Sequence, residues 1–468
     1  MISACRVAAA CAAVLAALAG VGPAGSQTPR PEEDVRSPRL LALRAAVSRG
    51  ERGAVGAFWK ELGAAGTPLL EPVPGEDHFL LVTMLYRGSG ATKSVTVVAL
   101  ENHQLANERY LALGRMRHLA STDVWHRTYR IRSDARFTYR FSVDADRLFA
   151  DLSPGEWSER LKHVTVDPLS RAKTTTRDGP VSLVELPEAP KPGWLEPRAG
   201  VAQGRIDTAV VGDAAGGGAR EVRVSTPSGY QPSAAPLDLL VVLDGETIPE
   251  SIPVPTILDN LVAARRLAPT LAVMVSSRDG GRIQDLWYSE EFVAWLRDRL
   301  APCVRGHYAV TTDPARSVIA GRSLSGAAAF AAFRLPELFG NVLSQSGGFA
   351  ARRTPRAPAG PSTPDLSLVE EGFPEGEWLT RQLAIAPRKP IRFYLEVGTL
   401  EEVAWELAPP RYADTTVLLA NRHLRDVLEA RGYPLTYHEY HGPHDPHAWR
   451  GTFGDALASL IGIAPAGG

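Results

Sequence analysis

The sequence predicts a chain in two folded parts, a small all-β sandwich followed by a doubly wound, mostly parallel α/β sheet. Three observations predict it. Between residues 78 and 143, short β-branched and aromatic runs recur, separated by Gly, Asn, Asp and Ser. Beyond about residue 200, strand-like apolar runs alternate with helical patterns, the signature of a layered parallel sheet. Within that second part, Val318, Ile319 and Ala320 lead into Gly321-Arg322-Ser323-Leu324-Ser325, and Gly326 opens a small-residue helix, so strand, sharp turn and helix follow directly on one another.

Composition narrows the class. The chain has 468 residues, with 51 Lys and Arg against 52 Asp and Glu. So balanced a charge offers no nucleic-acid footprint and no patch for an anionic membrane, which leaves a small-molecule partner. Residues 1–26 carry one Arg, an Ala- and Leu-rich run over 7–18, and small residues to Ser26. That is the pattern of a cleavable signal peptide and predicts a periplasmic or secreted protein. The run is too short for a permanent span, and no later stretch reads as transmembrane. Cys5 and Cys11 would leave with the signal peptide; Cys303 alone remains, so neither a disulfide framework nor a Cys-based metal site is expected.

In order, residues 27–75 form a helical lead-in with Leu40, Leu41, Leu43, Val47, Phe58, Trp59 and Leu62 as core positions. Residues 76–165 form the β-sandwich, whose strands include 79–82, 95–98, 124–129 and 137–141, and whose aromatics fill its core. The Pro-rich stretch 166–203 reads as an extended linker, because proline fixes φ and removes a donor. Residues 204–468 form the α/β domain, with an edge strand at 221–225, a central strand at 237–243, strands at 271–275, 318–320, 341–343, 391–395 and 435–440, and helices at 256–266, 290–303, 418–431 and 453–461. A biased stretch at 352–364, rich in Pro and Arg, reads as an insertion bordering the site.

A strand-turn-helix elbow holds its serine exposed at the carboxyl end of a sheet, which makes Ser323 the candidate nucleophile. A hydroxyl needs a base to take its proton, and the base needs an acid to orient it. When those partners follow the serine, acid first and histidine last, the order is that of an α/β hydrolase. His444 lies just past the last strand and is the candidate base. For the acid, Glu396, Glu401, Glu402 and Asp414 follow the preceding strand; Glu401, beyond the Gly398-Thr399 turn, is preferred and Asp414 comes second. The N–H groups of Leu324 and Gly245 are the candidate oxyanion donors. His438, His441, His444 and His447 share a spacing of three, but the intervening prolines argue against one helix presenting them to a metal, and the chemistry requires no cofactor.

With these residues in view, the chain resembles the enterochelin esterase family. The likeness runs through Leu243-Asp244-Gly245-Glu246, residues 257–261, 321–326 and 339–347, Leu395-Glu396-Val397-Gly398-Thr399-Leu400-Glu401, residues 420–428, and His444-Asp445 with Trp449-Arg450; Ser121 to Trp125 and Arg136 to Phe141 resemble that family's N-terminal β-domain. The resemblance implies Ser323 as nucleophile, His444 as base, Glu401 as acid, and an ester of a tri-catecholate, ferric siderophore as substrate. Arg282, Trp449 and Arg450 are the candidate substrate-binding residues, with Arg352 and Arg353 as further cations. The chain departs from the family pattern at Ser325, where glycine is usual, at Gly348-Phe349-Ala350, where an aromatic pair is usual, and at Thr247-Ile248, where tryptophan is frequent. Those departures keep two alternatives open: a feruloyl or acetyl carbohydrate esterase, and a degenerate hydrolase that only binds its ligand.

Overall fold

The computed structural model describes residues 36–99, 114–145, 159, 164–176, 179–212, 218–233, 235–247, 251–278, 281–351, 376–401 and 416–463. The signal-peptide segment, the insertion at 352–364 with Arg352 and Arg353, and the acid candidates Glu402 and Asp414 lie outside the described residues. The chain divides into two compact units, residues 1–54 and 55–468. In the first, helix α1 (Pro38–Ser48) begins with Pro38 and is capped by Ser37, whose Oγ accepts the Leu40 N–H at 3.1 Å.

The second unit holds all but the first residue of α2 (Ala54–Ala65) and then builds two four-stranded antiparallel sheets. The first sheet has the order β1-β2-β5-β4, from β1 (Leu69–Val73), β2 (Glu76–Arg87), β4 (Arg117–His118) and β5 (Val124–Arg132). The second has the order β3-β6-β8-β7, from β3 (Val95–Ala99), β6 (Arg136–Val143), β7 (Ala172–Thr176) and β8 (Gly179–Glu185). Val82, Met84 and Ile131 from one sheet and Val97, Phe141 and Val184 from the other pack into a single apolar cluster, so the two sheets share a core.

Three strands of these sheets depart from the sequence reading. Strands β7 and β8 lie inside the predicted linker 166–203. The prolines from Pro187 onward dominate that stretch, while Ala172-Lys173-Thr174-Thr175-Thr176 alternates between half-buried and exposed without an apolar stripe to mark it. Strand β1 lies inside the predicted helical lead-in, its Pro72 being tolerated because β1 is an edge strand.

The remaining residues form an eight-stranded sheet of order β16-β15-β14-β13-β11-β12-β10-β9. Its strands are β9 (Arg205–Val211), β10 (Arg220–Thr226), β11 (Asp238–Leu243), β12 (Thr270–Val275), β13 (Ser317–Arg322), β14 (Asn341–Gln345), β15 (Arg392–Gly398) and β16 (Leu435–Tyr440). All neighbours from β12 to β16 pair in parallel; β9 and β10 run antiparallel at one end. The strand expected at the edge, 221–225, is therefore covered by β9, whose exposed Ile206 and Val210 hide its strand character in a polar context.

Helices cover both faces: α3 (Val254–Ala263), α4 (Arg282–Leu286), α5 (Glu290–Trp295), α6 (Ala301–His307), α7 (Ala328–Arg334), α8 (Trp378–Ile385), α9 (Val417–Ala430) and α10 (Pro446–Ile461). Alternation along the strands decides which face each residue serves. Ile319 packs with Phe330 of α7 and Leu424 of α9, whereas Val318 and Ala320 pack with Ile257 of α3 and Phe453 of α10. A π-helical turn over Leu296–Leu300 joins α5 to α6, where Pro302 lacks the N–H that a regular helix would use. Helix α10 begins seven residues before the expected start at 453, because Pro446, read as a breaker, occupies the first turn behind the capping Asp445.

Next to the parallel strands, the Arg220 and Asp285 side chains pair with no solvent exposure at all, through bonds of 2.8 and 3.0 Å. Arg278 adds 2.9 Å to the same carboxylate, and the Arg220 guanidinium lies 4.6 Å from the Trp295 ring. Asp285→Ala strands that guanidinium in the interior, and denaturant titration should show a loss of about 3–5 kcal/mol in unfolding free energy.

Candidate active site

Strand β13 delivers Ser323 in the left-handed region, with φ of 54°. For a non-glycine residue this is strained, so the surroundings must enforce it. Gly321 permits the turn, since a Cβ there would lie 1.9 Å from the Ser325 carbonyl oxygen. Ser325 then closes it: its Oγ accepts the Arg322 N–H at 2.9 Å and donates to the Arg322 carbonyl at 2.8 Å. The serine standing where the family carries glycine is thus buried and fully hydrogen-bonded within the elbow. The Ser323 carbonyl accepts the Gly348 N–H at 2.9 Å, which leaves the hydroxyl to point elsewhere.

It points to His444, whose Nε2 is 2.8 Å from Ser323 Oγ. On the other side of the ring, His444 Nδ1 is 2.6 Å from Glu401 Oε2. The imidazole also meets the Trp449 ring edge-to-face, with centroids 4.8 Å apart. Glu401 is wholly buried, and its second oxygen accepts from the Ser346 hydroxyl at 2.6 Å and the Gly398 N–H at 2.7 Å, with the Tyr440 hydroxyl 3.3 Å away, its one proton shared with the nearer Pro443 carbonyl at 3.0 Å. Burial, and then the neighbouring Glu401, push the Tyr440 hydroxyl well above its ordinary range, so it remains a donor. The Trp449 indole N–H donates to Ser346 Oγ at 2.9 Å. The loops after β15 and β16 are locked to each other: Leu400 N–H donates to the Gly442 carbonyl at 3.1 Å, and a Cβ on Gly398 would lie 2.1 Å from that same oxygen.

Such a chain can carry a proton from hydroxyl to imidazole while the carboxylate stabilises the resulting cation. The candidate oxyanion donors also lie at this end of the sheet. Leu324 and Gly245 stand at the starts of 3₁₀ turns, Ser323–Ala327 and Gly245–Thr247, where the first N–H groups have no carbonyl of their own turn to meet. These turns follow β13 and β11, which are parallel neighbours. Gly245 is also required by packing, because a Cβ would lie 2.7 Å from the Met274 carbonyl carbon.

Each candidate substrate-binding residue is engaged by neighbouring side chains. Arg282 forms a bidentate pair with Asp244, at 2.6 and 2.8 Å. Burial alone would raise the Asp244 carboxyl, but Arg282 and then Arg322 hold it below its ordinary range. Trp449 is 1 % exposed and serves the imidazole and Ser346 rather than a ligand surface. Arg450 is pushed below its usual range by burial and by Arg136 of β6, which sets it toward the N-terminal sheets. A single sequence shows a charge but not the charge it faces.

The histidines spaced three apart are not gathered at one point: His438 lies on β16, His441 Nδ1 meets Thr399 Oγ1 at 2.8 Å, and His447 Nε2 meets Thr174 Oγ1 at 3.2 Å. Among the described residues, no group of three or more His, Cys, Asp or Glu could hold a metal ion. Sequence reasoning missed Ser346, Tyr440 and the orienting role of Trp449. Ser346 falls within a stretch that carries the family likeness, yet nothing in its neighbourhood of the sequence marks it as a hydrogen-bond hub.

Close to Glu401 lies a second buried acid. Glu396 accepts from Tyr394, Thr452 and Gln345 at 2.9, 2.6 and 2.7 Å, yet burial raises its carboxyl to about 7. The same Gln345 amide donates to the Trp449 carbonyl at 2.8 Å, joining β14 to α10.

Residues 213–460 match the family described as "Putative esterase", and residues 81–195 match that described as "Enterochelin esterase, N-terminal". An α/β sheet of this kind with the first match over more than half of the chain defines a carboxylic ester hydrolase. The chain belongs to the enterochelin esterase family. It is 26% identical over 438 residues to the iron(III) salmochelin esterase of Escherichia coli, covering 90% of this chain and 98% of that one. It is 25% identical to the iron(III) enterobactin esterase of Dickeya dadantii, over 86% of this chain and 92% of the other. The crystal structure of ferric enterobactin esterase from Salmonella typhimurium superposes with a TM-score of 0.66 at 26% identity, over 86% of this chain and 98% of that one. The enterobactin esterase from Shigella flexneri, crystallised in the presence of 2,3-dihydroxy-N-benzoyl-serine, gives a TM-score of 0.62 at 25% identity, over 86% and 97%.

Two predictions arise from these contacts. Ser346→Ala removes one donor from a buried carboxylate and leaves the Trp449 N–H without its acceptor. Steady-state kinetics on an ester should show kcat lowered by about ten- to a hundredfold with KM little changed. For Glu396, the native pKa of about 7 exceeds its ordinary 4.5, so between those values the unfolded chain has released a proton that the native chain retains. This group's contribution to stability therefore declines as pH rises from about 4.5 to about 7 and levels off above it. In thermal melts across that window, Glu396→Gln should gain on the wild type as pH rises.

Proposed function

We propose that the protein is a serine esterase that cleaves the ester bonds of a catecholate siderophore. The observation that carries the reading is the unbroken hydrogen-bond chain from Ser323 Oγ through His444 to Glu401. In it Ser323 attacks the ester carbonyl carbon as its proton passes to His444 Nε2. The negative charge that develops on the carbonyl oxygen is met by the N–H groups of Leu324 and Gly245. His444 gives the proton to the departing alcohol, then takes one from the water that attacks the acyl-enzyme, and the acid product leaves with Ser323 restored. Glu401 keeps the imidazole in the tautomer that needs Nδ1 protonated and steadies its cation.

The substrate class rests on relatives: proteins named iron(III) enterobactin and salmochelin esterases align over most of this chain, and a relative has been crystallised in the presence of enterobactin. The ferric ion enters as part of the substrate. Residues 1–26 serve as a cleavable signal peptide and direct the mature chain to the periplasm or beyond. The two antiparallel sheets, from β1 to β8, act as the front β-domain, and residues 204–468 act as the catalytic domain.

Ser323→Ala should lower turnover of a chromogenic ester by at least about a thousandfold, and an active-site-directed phosphonate should label Ser323 in the wild type alone. Turnover of trilactone catecholates, iron-loaded and iron-free, should exceed that of feruloylated or acetylated sugars. Faster cleavage of the sugar esters would reassign the substrate while keeping the chemistry; a fully active Ser323→Ala enzyme would end the reading.

A further inference from the structure

A buried carboxylate outside the triad ties the histidine-bearing loop to the N-terminal sheets. Asp445 directly follows His444 and has no exposed surface. Its Oδ1 accepts the His447 N–H at 2.7 Å and so caps α10. Its Oδ2 accepts two hydrogen bonds from one residue of β6, the Thr138 N–H at 2.7 Å and the Thr138 hydroxyl at 2.9 Å. The two residues are 307 positions apart in sequence. Nearby contacts close the same seam. His447 reaches Thr174 of β7 at 3.2 Å, and Gly451 of α10 comes so near Arg136 that a Cβ would lie 2.6 Å from its guanidinium.

An N-cap aspartate needs only its own helix's N–H groups to do its work. The two donors from β6 go beyond capping and hold the second oxygen from the opposite side. Burial acts to raise this carboxyl, but His447 and the backbone N–H groups of His447 and Thr138 keep it below its ordinary range, so it stays charged and keeps both sets of donors. Pro446 restricts Asp445 to extended backbone, seen at φ −134° and ψ 126°. On the other flank of His444, the Pro443 carbonyl accepts the Tyr440 hydroxyl at 3.0 Å. The main chain of His444 is therefore held on both sides, from the catalytic domain before it and from β6 after it.

We propose that Thr138 is a positioning residue for ester hydrolysis. Acting through Asp445, it fixes the main chain of His444 so that Nε2 remains on the Ser323 hydroxyl, which makes β6 part of the catalytic apparatus as well as of the front sheets. The inference rests on the reading of Ser323, His444 and Glu401 as the triad.

The test uses the full chain and p-nitrophenyl acetate, a substrate too small to need binding contacts from the front sheets. Thr138→Val keeps the shape and the backbone N–H but removes the hydroxyl donor, and should lower kcat by about five- to a hundredfold with KM unchanged, the scale of a displaced catalytic group. Thr138→Ser keeps both donors and should stay within about twofold of the wild type. A Thr138→Val enzyme with wild-type kcat, or one altered in KM alone, overturns the proposal, as does a Thr138→Ser enzyme as impaired as Thr138→Val. Should circular dichroism show Thr138→Val unfolded, Asp445→Asn is measured instead: its amide can cap His447 but turns N–H toward Thr138, and a wild-type kcat there also overturns the proposal. Ser323→Ala run alongside separates the two layers. If it stays active, the triad reading has failed and this inference with it; if it is dead while Thr138→Val matches the wild type, only the inference falls.

Discussion

The strained backbone at Ser323 is the constraint on which the rest of the site depends. A left-handed, non-glycine residue costs about 1–3 kcal/mol and persists only when its neighbours leave it no alternative. Here they do so from three directions. Gly321 lets the chain fold back onto the Ser325 carbonyl, the Ser325 hydroxyl bonds both backbone groups of Arg322, and the Gly348 N–H takes the Ser323 carbonyl. Gly326 admits the loop after β14 so closely that a Cβ would lie 2.4 Å from the Gly347 Cα. With the main chain so fixed, the hydroxyl has one direction left, and the histidine loop is built to meet it.

The same device recurs along the sheet. β11, β13 and β14 each end one residue before a left-handed non-glycine residue: Asp244 at 60°, Ser323 at 54° and Ser346 at 49°. A parallel sheet brings its carboxyl ends to one edge, and a left-handed turn there redirects each chain away from the strand axis so that a polar side chain faces its neighbour. Asp244 turns to Arg282, Ser323 to His444, and Ser346 to Glu401. β15 and β16 complete the row with the loops that carry Glu401 and His444. Order along the sheet, more than order in sequence, explains why these residues meet.

That distinction also governs what the sequence disclosed. The elbow is legible because its steric demand falls on adjacent residues, so the small side chains cluster where the chain must double back. The alternating layers are legible because β11 to β15 are buried on both faces and read as apolar runs. Ser346 and Tyr440 are illegible because their roles come from partners more than thirty residues away, and a serine or tyrosine in isolation has many uses. For Arg282, Trp449 and Arg450, burial and pairing give each a neighbour that charge and ring character alone do not reveal. β7 escaped notice because a strand of threonines at the end of a sheet carries no apolar period, yet its Thr174 touches the helix that follows His444.

Three carboxylates lie wholly buried around the histidine, and their surroundings assign them different states. Asp445 is kept charged by N–H groups that converge on both of its oxygens. Burial chiefly, and the neighbouring Glu401 with it, raises the Glu396 carboxyl. The donors around Glu396 are a phenol, a hydroxyl and an amide, none of them cationic, and they do not offset its burial. Glu401 has a hydroxyl, a backbone N–H and a phenol on one oxygen and the imidazole on the other, the only partner of either acid that can itself become positive. Burial therefore favours the protonated form of Glu396, while Glu401 stands beside the His444 ring.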